Sequence, residues 1–404
     1  MPQPSYCLCP NNLADCGPCA VRASGQWTRF AAENPQATPG QLIELAIQQD
    51  RAGVVLGIVQ NTNVDINQAC DPPRYDSVSP LMTALRAGNA RIVALIAGQP
   101  LFDLARSLPE YERWSWVRSA PLEVLRQYLS IPGSDVNQTD GNGKTLLHEV
   151  VYDTGSQDKL RDLLSRPGIV VDPKQGDGTT PLYRAGLAGN AAAFDLLLAR
   201  GADVNNRNND NYWTILICAG AGDRIAIAEQ ALRRQGIGIN AQDDIGNTTL
   251  HVVAERGYTR MADLLLLHAA IQINLRNQMG WTPLTKAAFA GHAEVVRLLL
   301  ARPGLGVNFV DQDRQTPLFH AVSAGNLGMV RLLLSDSRTN TAIRNRPGRH
   351  TALDMATALG FTAIAELIGR HKVDSDTLSP GDPYIEREVE SRPHSFAFIR
   401  PPRK

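Results

Sequence analysis

Gly280-Trp281-Thr282-Pro283-Leu284, followed by Ala287-Ala288, Gly291-His292, Val295-Val296, Leu298-Leu299-Leu300 and Val307-Asn308, is one copy of a block that recurs along the chain. Self-similarity at a fixed period marks a repeat architecture. The leucine after the Thr-Pro step measures the period: it falls at Leu147, Leu182, Leu216, Leu250, Leu284, Leu318 and Leu353, with successive spacings of 35, 34, 34, 34, 34 and 35 residues. The chemistry of the block predicts a turn, a helix, a loop and a second helix. Thr316 stands where it can cap a helix that opens with Pro317, whose missing amide hydrogen costs nothing in a first turn. The pair Ala287-Ala288 lets the first helix approach its partner, and Gly291 supplies the left-handed residue that ends it. Val295, Val296, Leu298 and Leu299 give the second helix an apolar face, and Asp203-Val204-Asn205 with its equivalents leads into a β-turn. A unit of this kind cannot bury its stripe without a neighbour on each side.

The period predicts about ten units. The first, about Thr38 to Asn67, keeps Leu42, Leu45, Ala46 and the ending Asp65-Ile66-Asn67 but lacks a clean Thr-Pro-Leu, and reads as an N-terminal cap. The others open near residues 77, 106, 140, 175, 208, 243, 277, 311 and 345. Leu81 lies 66 residues before Leu147, which leaves room for a cryptic unit whose remnant is Trp114 to Asn137. Pro72-Pro73 and the stretch Pro100 to Trp116, which carries no turn signature, predict irregular packing in this third of the chain. The last unit closes with Ala363, Ile364, Leu367 and Ile368, with Glu366 and Arg370 turned outward. The expected organisation is a cysteine-bearing tail (1–37), irregular units (38–137), regular units (138–372) and a C-terminal tail (373–404).

The block resembles the ankyrin repeat over about Thr38 to His371. The resemblance implies an all-α fold, an α-solenoid of about ten turn-helix-loop-helix units with flexible tails at both ends. It also implies that His148 and His251, in the family's Thr-Pro-Leu-His position, and His292, in its Gly-His step, bond to neighbouring backbone and knit adjacent units. It further implies a concave groove of turn tips and first-helix faces that binds a protein partner. Loops such as Arg302-Pro303-Gly304-Leu305-Gly306 and Arg166-Pro167-Gly168-Ile169 look like those of ankyrin proteins from filamentous fungi. Some of these relatives act as transcription coregulators of biosynthetic gene clusters. This chain lacks the basic N-terminal region of the DNA-binding members, so coregulation would run through a DNA-binding partner.

Composition narrows the rest. With 43% hydrophobic and 20% charged residues, the 404-residue chain has too much apolar material for wholesale disorder. Forty basic residues against forty acidic ones leave no global field for nucleic acid or anionic lipid. The longest apolar stretch, around Leu264 to Ile273, is too short to span a bilayer, and Met1 to Gly40 has no secretory-signal pattern. These features predict an intracellular, monomeric protein, cytoplasmic or nuclear, with neither membrane nor direct nucleic-acid contact.

Chemistry-bearing motifs are scarce. There is no Gly-x-Ser-x-Gly elbow, phosphate loop or strand-borne Gly-x-Gly-x-x-Gly, and His320, His350 and His371 lack the spacing of zinc ligands, so neither enzyme activity nor a cofactor is expected, an enzyme with an atypical site in the solenoid groove being the least favoured reading. Cys7-x-Cys9 and Cys16-x-x-Cys19 supply four thiols, enough for a tetrahedral zinc site, yet the spacing between the pairs is short. Redox or lipidated use and an incidental tail are the other readings, the last being the default. Cys70 reads as a loop residue and Cys218 as a buried helix residue.

Partner contact is expected from Tyr183, Tyr212, Trp213, Met279, Trp281, Phe289, Phe309, Arg314, Arg346 and Arg349, since aromatic and arginine side chains dominate interface hot spots. Trp213 and Trp281, just before the Thr-Pro step, also suit the role of turn braces. Arg276, Arg314, Arg344, Arg346 and Arg349 gather towards the C-terminal tips and bias that end to an acidic partner. Beyond Lys372 the pattern stops in an acidic stretch (374–390) and a basic end (391–404), with Phe396-Ala397-Phe398-Ile399 as an apolar run able to dock.

Overall fold

The computed structural model describes residues 17–62, 64–68, 79–108 and 113–371, with side chains from residue 25 onward. The chain divides into two compact units, Met1–Leu299 and Leu300–Lys404. Among the described residues the secondary structure is helical, with no strand and one antiparallel bridge between Arg207 and Thr214. In the first unit α1 (Gly17–Glu33) precedes the pairs α2 (Pro39–Gln48) and α3 (Ala52–Asn61), then α4 (Pro80–Arg86) and α5 (Ala90–Ala97). Next come α6 (Leu104–Ser107) and α7 (Leu122–Leu129), α8 (Leu146–Val150) and α9 (Gln157–Ser165), and α10 (Pro181–Ala188) and α11 (Ala191–Ala199). The pairs α12 (Ile215–Ala221) and α13 (Ile225–Leu232), α14 (Thr249–Arg256) and α15 (Thr259–Leu266), and α16 (Pro283–Ala290) and α17 (Ala293–Leu300) complete it. The second unit holds α18 (Pro317–Ser323) with α19 (Leu327–Leu334) and α20 (Ala352–Ala358) with α21 (Thr362–Arg370).

The repeat ruler is the core. Leu147, Leu182, Leu216, Leu250, Leu284 and Leu318 are buried, and Leu353, on the last helix pair among the described residues, is half-buried. Thr180, Thr214 and Thr282 cap their helices through their side chains, and Gly291 ends α16 at φ +83°. Thr316 takes the N-cap backbone conformation before Pro317 but makes no side-chain cap bond.

The irregular third has a physical cause. Where a first helix is expected, a single 3-10 turn (Ser115–Val117) drops Trp114 and Trp116 into the core against Tyr128, with ring centroids 5.9 and 5.4 Å from the tyrosine. Three rings occupy the volume of a helix turn, and the Trp114 indole N–H donates to the Lys144 carbonyl at 2.8 Å. Residues 1–37 are not all tail. From Gly17 to Glu33 the chain is helical, α1 packs on α3, and Phe30 is buried beneath the Arg51 guanidinium, 5.1 Å from its ring centre. Cys7, Cys9, Cys16, Cys70 and everything beyond His371 lie outside the described residues.

Neighbouring pairs are joined by asparagine. Asn67, Asn137, Asn205, Asn240 and Asn308 each donate Nδ2–H to a carbonyl one repeat on (Leu101, Gly168, Gly236, Ala270 and Arg338), at 2.7–2.9 Å. The same amide's Oδ1 accepts the backbone N–H of Asp103, Val170, Gly238, Gln272 and Asn340, also at 2.7–2.9 Å. Each side-chain amide thus pairs with its neighbour's backbone as a strand would, satisfying one donor and one acceptor.

Candidate interaction surface

The turns before the first helices are built alike. Asp140, Asn277 and Asp311 are buried and Asp243 half-buried at the turn entrance, and the Oδ1 of each accepts two backbone amides further round, such as Met279 and Trp281 for Asn277 at 3.0 and 2.9 Å. Consecutive tips are also tied directly. In the first unit Gly176, Asn209, Asp244 and Gln278 donate their amides to the carbonyls of Asn142, Asp177, Asn211 and Ile245 at 2.8–3.1 Å. Arg346 does the same to Asp313 in the second unit at 2.8 Å. The tips therefore stand closer than the roughly 10 Å spacing of packed helices, which is the separation expected from the repeat period alone.

One position is left-handed in each of the seven turns that precede the regular first helices. Glycine fills it at Gly143, Gly178, Gly246 and Gly280 (φ +76° to +81°), whereas Tyr212, Arg314 and Arg349 hold it at φ +55°, +55° and +53°. A β-carbon there costs roughly 1–2 kcal/mol. Each of these three side chains is kept at a backbone cost that glycine avoids.

The first helices carry a second set of constraints. His148 Nδ1 accepts the amide of Thr145 at 3.1 Å and Nε2 donates to the Thr179 carbonyl of the next repeat at 3.2 Å. His251 repeats this with Thr248 at 3.1 Å and Trp281 at 3.0 Å. Burial pushes both imidazoles down to about 4, against the partial support of those carbonyl bonds. His292 Nε2 donates to the Glu255 carbonyl at 2.9 Å, so all three histidines of the repeat motif join neighbouring units. Their role here is structural.

One residue beyond that position the surface is polar and paired. Glu149 is buried between Lys144 Nζ and Arg118 Nε, both at 2.5 Å. Burial alone would raise its carboxyl, but the hydrogen bonds from Lys144 and then Arg118 hold it below the usual carboxylate range. Arg118 lies 4.6 Å above the Tyr152 ring and Arg184 lies 6.0 Å from it. Lys286 bonds Glu255 at 3.0 Å and sits 5.8 Å from the Trp281 ring, and in the second unit Asp311 holds His320 at 2.8 Å.

Against this frame the expected contact residues divide. Tyr183 is 5% exposed: it occupies the position of His148 and His251, which faces the next repeat, and its hydroxyl bonds Cys218, whose thiol burial pushes up to about 11. It is a core residue, not a contact residue. Phe309 is half-buried against Gly306, where a β-carbon would fall 1.9 Å from the ring. Trp213 and Trp281 are half-buried at the foot of their turns; Trp281 leans on Phe289, with centroids 5.2 Å apart and planes at 59°. Arg314 is half-buried, while Arg346 and Arg349 are exposed.

Tyr212, Met279 and Phe289 stand out among exposed large apolar side chains, and sequence reading missed three more: Tyr152, Leu187 and Ile245. These six are 41–55% exposed. Tyr152, Leu187 and Phe289 share one register position of the first helices, and Ile245 and Met279 share one position of the turn tips. The ruler that located Leu284 would have located them. Among the described residues there is no group of three or more metal-ligating side chains, and no helix long and apolar enough to cross a membrane.

Three stretches of the chain, residues 117–208, 215–309 and 302–377, match the family described as ankyrin repeats in three copies. The Nuclear factor NF-kappa-B p105 subunit of Gallus gallus is similar, 27% identical over 146 residues that make up 35% of this chain and 14% of the relative. Its Mus musculus counterpart is 28% identical over 136 residues, 33% of this chain and 14% of that protein. Delta-latroinsectotoxin-Lt1a of Latrodectus tredecimguttatus is 35% identical over 77 residues, 19% of this chain and 6% of the toxin. The chain therefore spans a small fraction of these relatives' length. Matched to the family over more than half of its residues, and built throughout its regular part from capped helix pairs with pinned turns, the chain belongs to the ankyrin-repeat family.

Proposed function

We propose that the first unit binds a protein partner along its turn tips and first-helix faces, with Tyr152, Leu187 and Phe289 below and Tyr212, Ile245 and Met279 above. The observation that carries this reading is the recurrence of exposed apolar side chains at fixed register positions, on turns locked side by side by their backbones. Singly scattered apolar residues need no explanation, whereas a row of them on a rigid surface fits a binding face. Ankyrin repeats are generally protein-interaction modules, which agrees. In this reading the chain is a monomeric scaffold or adaptor, and Trp213 and Trp281 brace the turns while lending their edges to the partner.

The test is affinity purification from the native cell, followed by the same capture with Leu187→Asp, Met279→Asp and the control Leu267→Asp. Leu267 is 69% exposed just beyond α15, away from the turns and first helices. Loss of the same partner with the first two variants and retention with the third is expected. Equal capture by all three would overturn the assignment.

Similarity to a protein named as a nuclear factor favours one second reading, a transcription coregulator acting through a DNA-binding partner. Fluorescence of a tagged, functional protein should then enter the nucleus under some growth condition. Strictly cytoplasmic signal in every condition would remove this reading and leave the first intact.

A further inference from the structure

We propose that the two turns of the second unit, residues 311–315 and 345–350, form a receptor for an extended acidic segment of a partner protein, its carboxylates taken by Arg314, Arg344, Arg346 and Arg349. The site lies outside the surface assigned to the first unit and stands without it.

The two turns are one rigid body at their tips, because the Arg346 amide donates to the Asp313 carbonyl at 2.8 Å. Arg344 Nη1 closes the second turn by donating to the Arg349 carbonyl at 2.8 Å, which leaves the rest of that fork facing outward. Arg344, Arg346 and Arg349 are exposed, Arg314 half so. Among the described residues none of the four guanidinium groups is in an ion pair. Some surface arginines elsewhere are neutralised, Arg118, Arg126, Arg166 and Arg338 each holding a carboxylate at 2.5–2.8 Å; what sets Arg314, Arg344, Arg346 and Arg349 apart is their gathering on two adjoining turns.

Nearby anions are largely committed to the fold. Asp311 Oδ1 accepts the amides of Asp313 and Gln315 and its Oδ2 takes His320. Asp354 Oδ2 accepts both the amide and the hydroxyl of Thr351 at 2.8 Å. Asp313 and Asp354 are both exposed near the four arginines, Asp354 with its acceptor oxygen already engaged by Thr351. Two of those arginines, Arg314 and Arg349, occupy the left-handed position that glycine fills in four turns of the first unit. Glycine would cost the backbone less at both positions, so each guanidinium stands there against the backbone's preference.

A guanidinium fork matches a carboxylate in two parallel hydrogen bonds. An extended chain places alternate side chains on one face about 6.5–7 Å apart, a spacing that suits several arginines on two adjoining turns. A polynucleotide fits less well: it asks for a broad basic field, and here the overall charge is zero and Asp313 interrupts the patch.

The experiment is fluorescence anisotropy on the full chain with a labelled peptide of five glutamates alternating with glycines. Its companion probe carries glutamine in place of each glutamate. The acidic peptide should bind, several-fold more weakly at 200 mM than at 50 mM NaCl, and the glutamine peptide should not. Arg346→Gln combined with Arg349→Gly should weaken binding at least tenfold without lowering the thermal midpoint, since the glycine relieves the left-handed backbone. Arg314→Gly should weaken it with the fold likewise intact. Equal binding of the two peptides, undiminished affinity in the variants, or tighter binding of a single-stranded oligonucleotide of equal charge would each overturn the proposal.

Discussion

Acidification should destabilise this protein through two histidines, well before its carboxylates protonate. His148 and His251 each use Nδ1 to accept the amide that starts a helix and Nε2–H to hold the next repeat's carbonyl. Only the neutral ring with its proton on Nε2 can do both, and burial pushes each ring down to about 4 from the ordinary 6.5. A group whose folded value is depressed binds its proton preferentially in the unfolded chain. Its stabilising contribution is therefore complete above pH 6.5 and lost as the pH falls towards 4. Linkage gives a loss of about 2 kcal/mol per histidine between pH 8 and pH 5, and about 4 kcal/mol for the two. Against a typical stability of about 5–15 kcal/mol, that is a large fraction. Urea unfolding followed by circular dichroism at pH 8, 6.5, 5.5 and 5 measures it. The double variant His148→Gln, His251→Gln, less stable at pH 8, should show a much flatter profile across the same range. A wild-type stability constant to within about 0.5 kcal/mol from pH 8 to 5, or an equal decline in the double variant, would refute the reasoning.

Tyr212→Gly removes a β-carbon from a left-handed residue and should raise stability by about 0.5–1 kcal/mol, the relief being offset in part by the freer unfolded chain; calorimetry decides. Trp281→Ala should cost about 1–2 kcal/mol by thermal unfolding, because the half-buried indole supports Phe289, while Met279→Ala, with its exposed side chain, should stay within about 0.5 kcal/mol of wild type. Gly186→Ala places a β-carbon 2.0 Å from Ile215 Cδ1, so overpacking of about 1–3 kcal/mol should exceed the helical gain. Gly369→Ala, with nothing within 4 Å, should instead stabilise by about 0.5–1 kcal/mol. A reversed order between these two glycine variants in the same melting assay would refute the packing argument.

The helix pairs were legible because a buried leucine every 34 or 35 residues leaves no other solution, and the cap and proline beside it fix where each first helix starts. Residues at the rim were less so. Tyr183 and Phe289 are both aromatic residues on first helices, yet one faces the adjoining repeat and the other faces solvent; the difference lies in register, and aromatic character alone does not report it. Tyr152, Leu187 and Ile245 escaped notice for the converse reason: a lone Leu or Ile signals core until its register shows that no element covers it. The helix α1 carries no repeat signature at all, so its packing through Phe30 follows from tertiary contact with α3. The cryptic third pair was visible as an interval but not as a structure, since Trp114, Trp116 and Tyr128 substitute bulk for a helix.

The asparagine bridges bear on how such a chain can change over generations. Asn205 recognises a carbonyl and an amide on the neighbouring repeat, and every residue except proline offers that pair of groups. This joint, unlike the packed helix faces beside it, is consequently blind to the side chains of the residues it binds. A copy can be duplicated, lost or exchanged for one from another position and still find its bonding partners at the new border. Substitutions at the tips need no compensating change at the joints, which leaves binding specificity free to drift while the stacking stays constant.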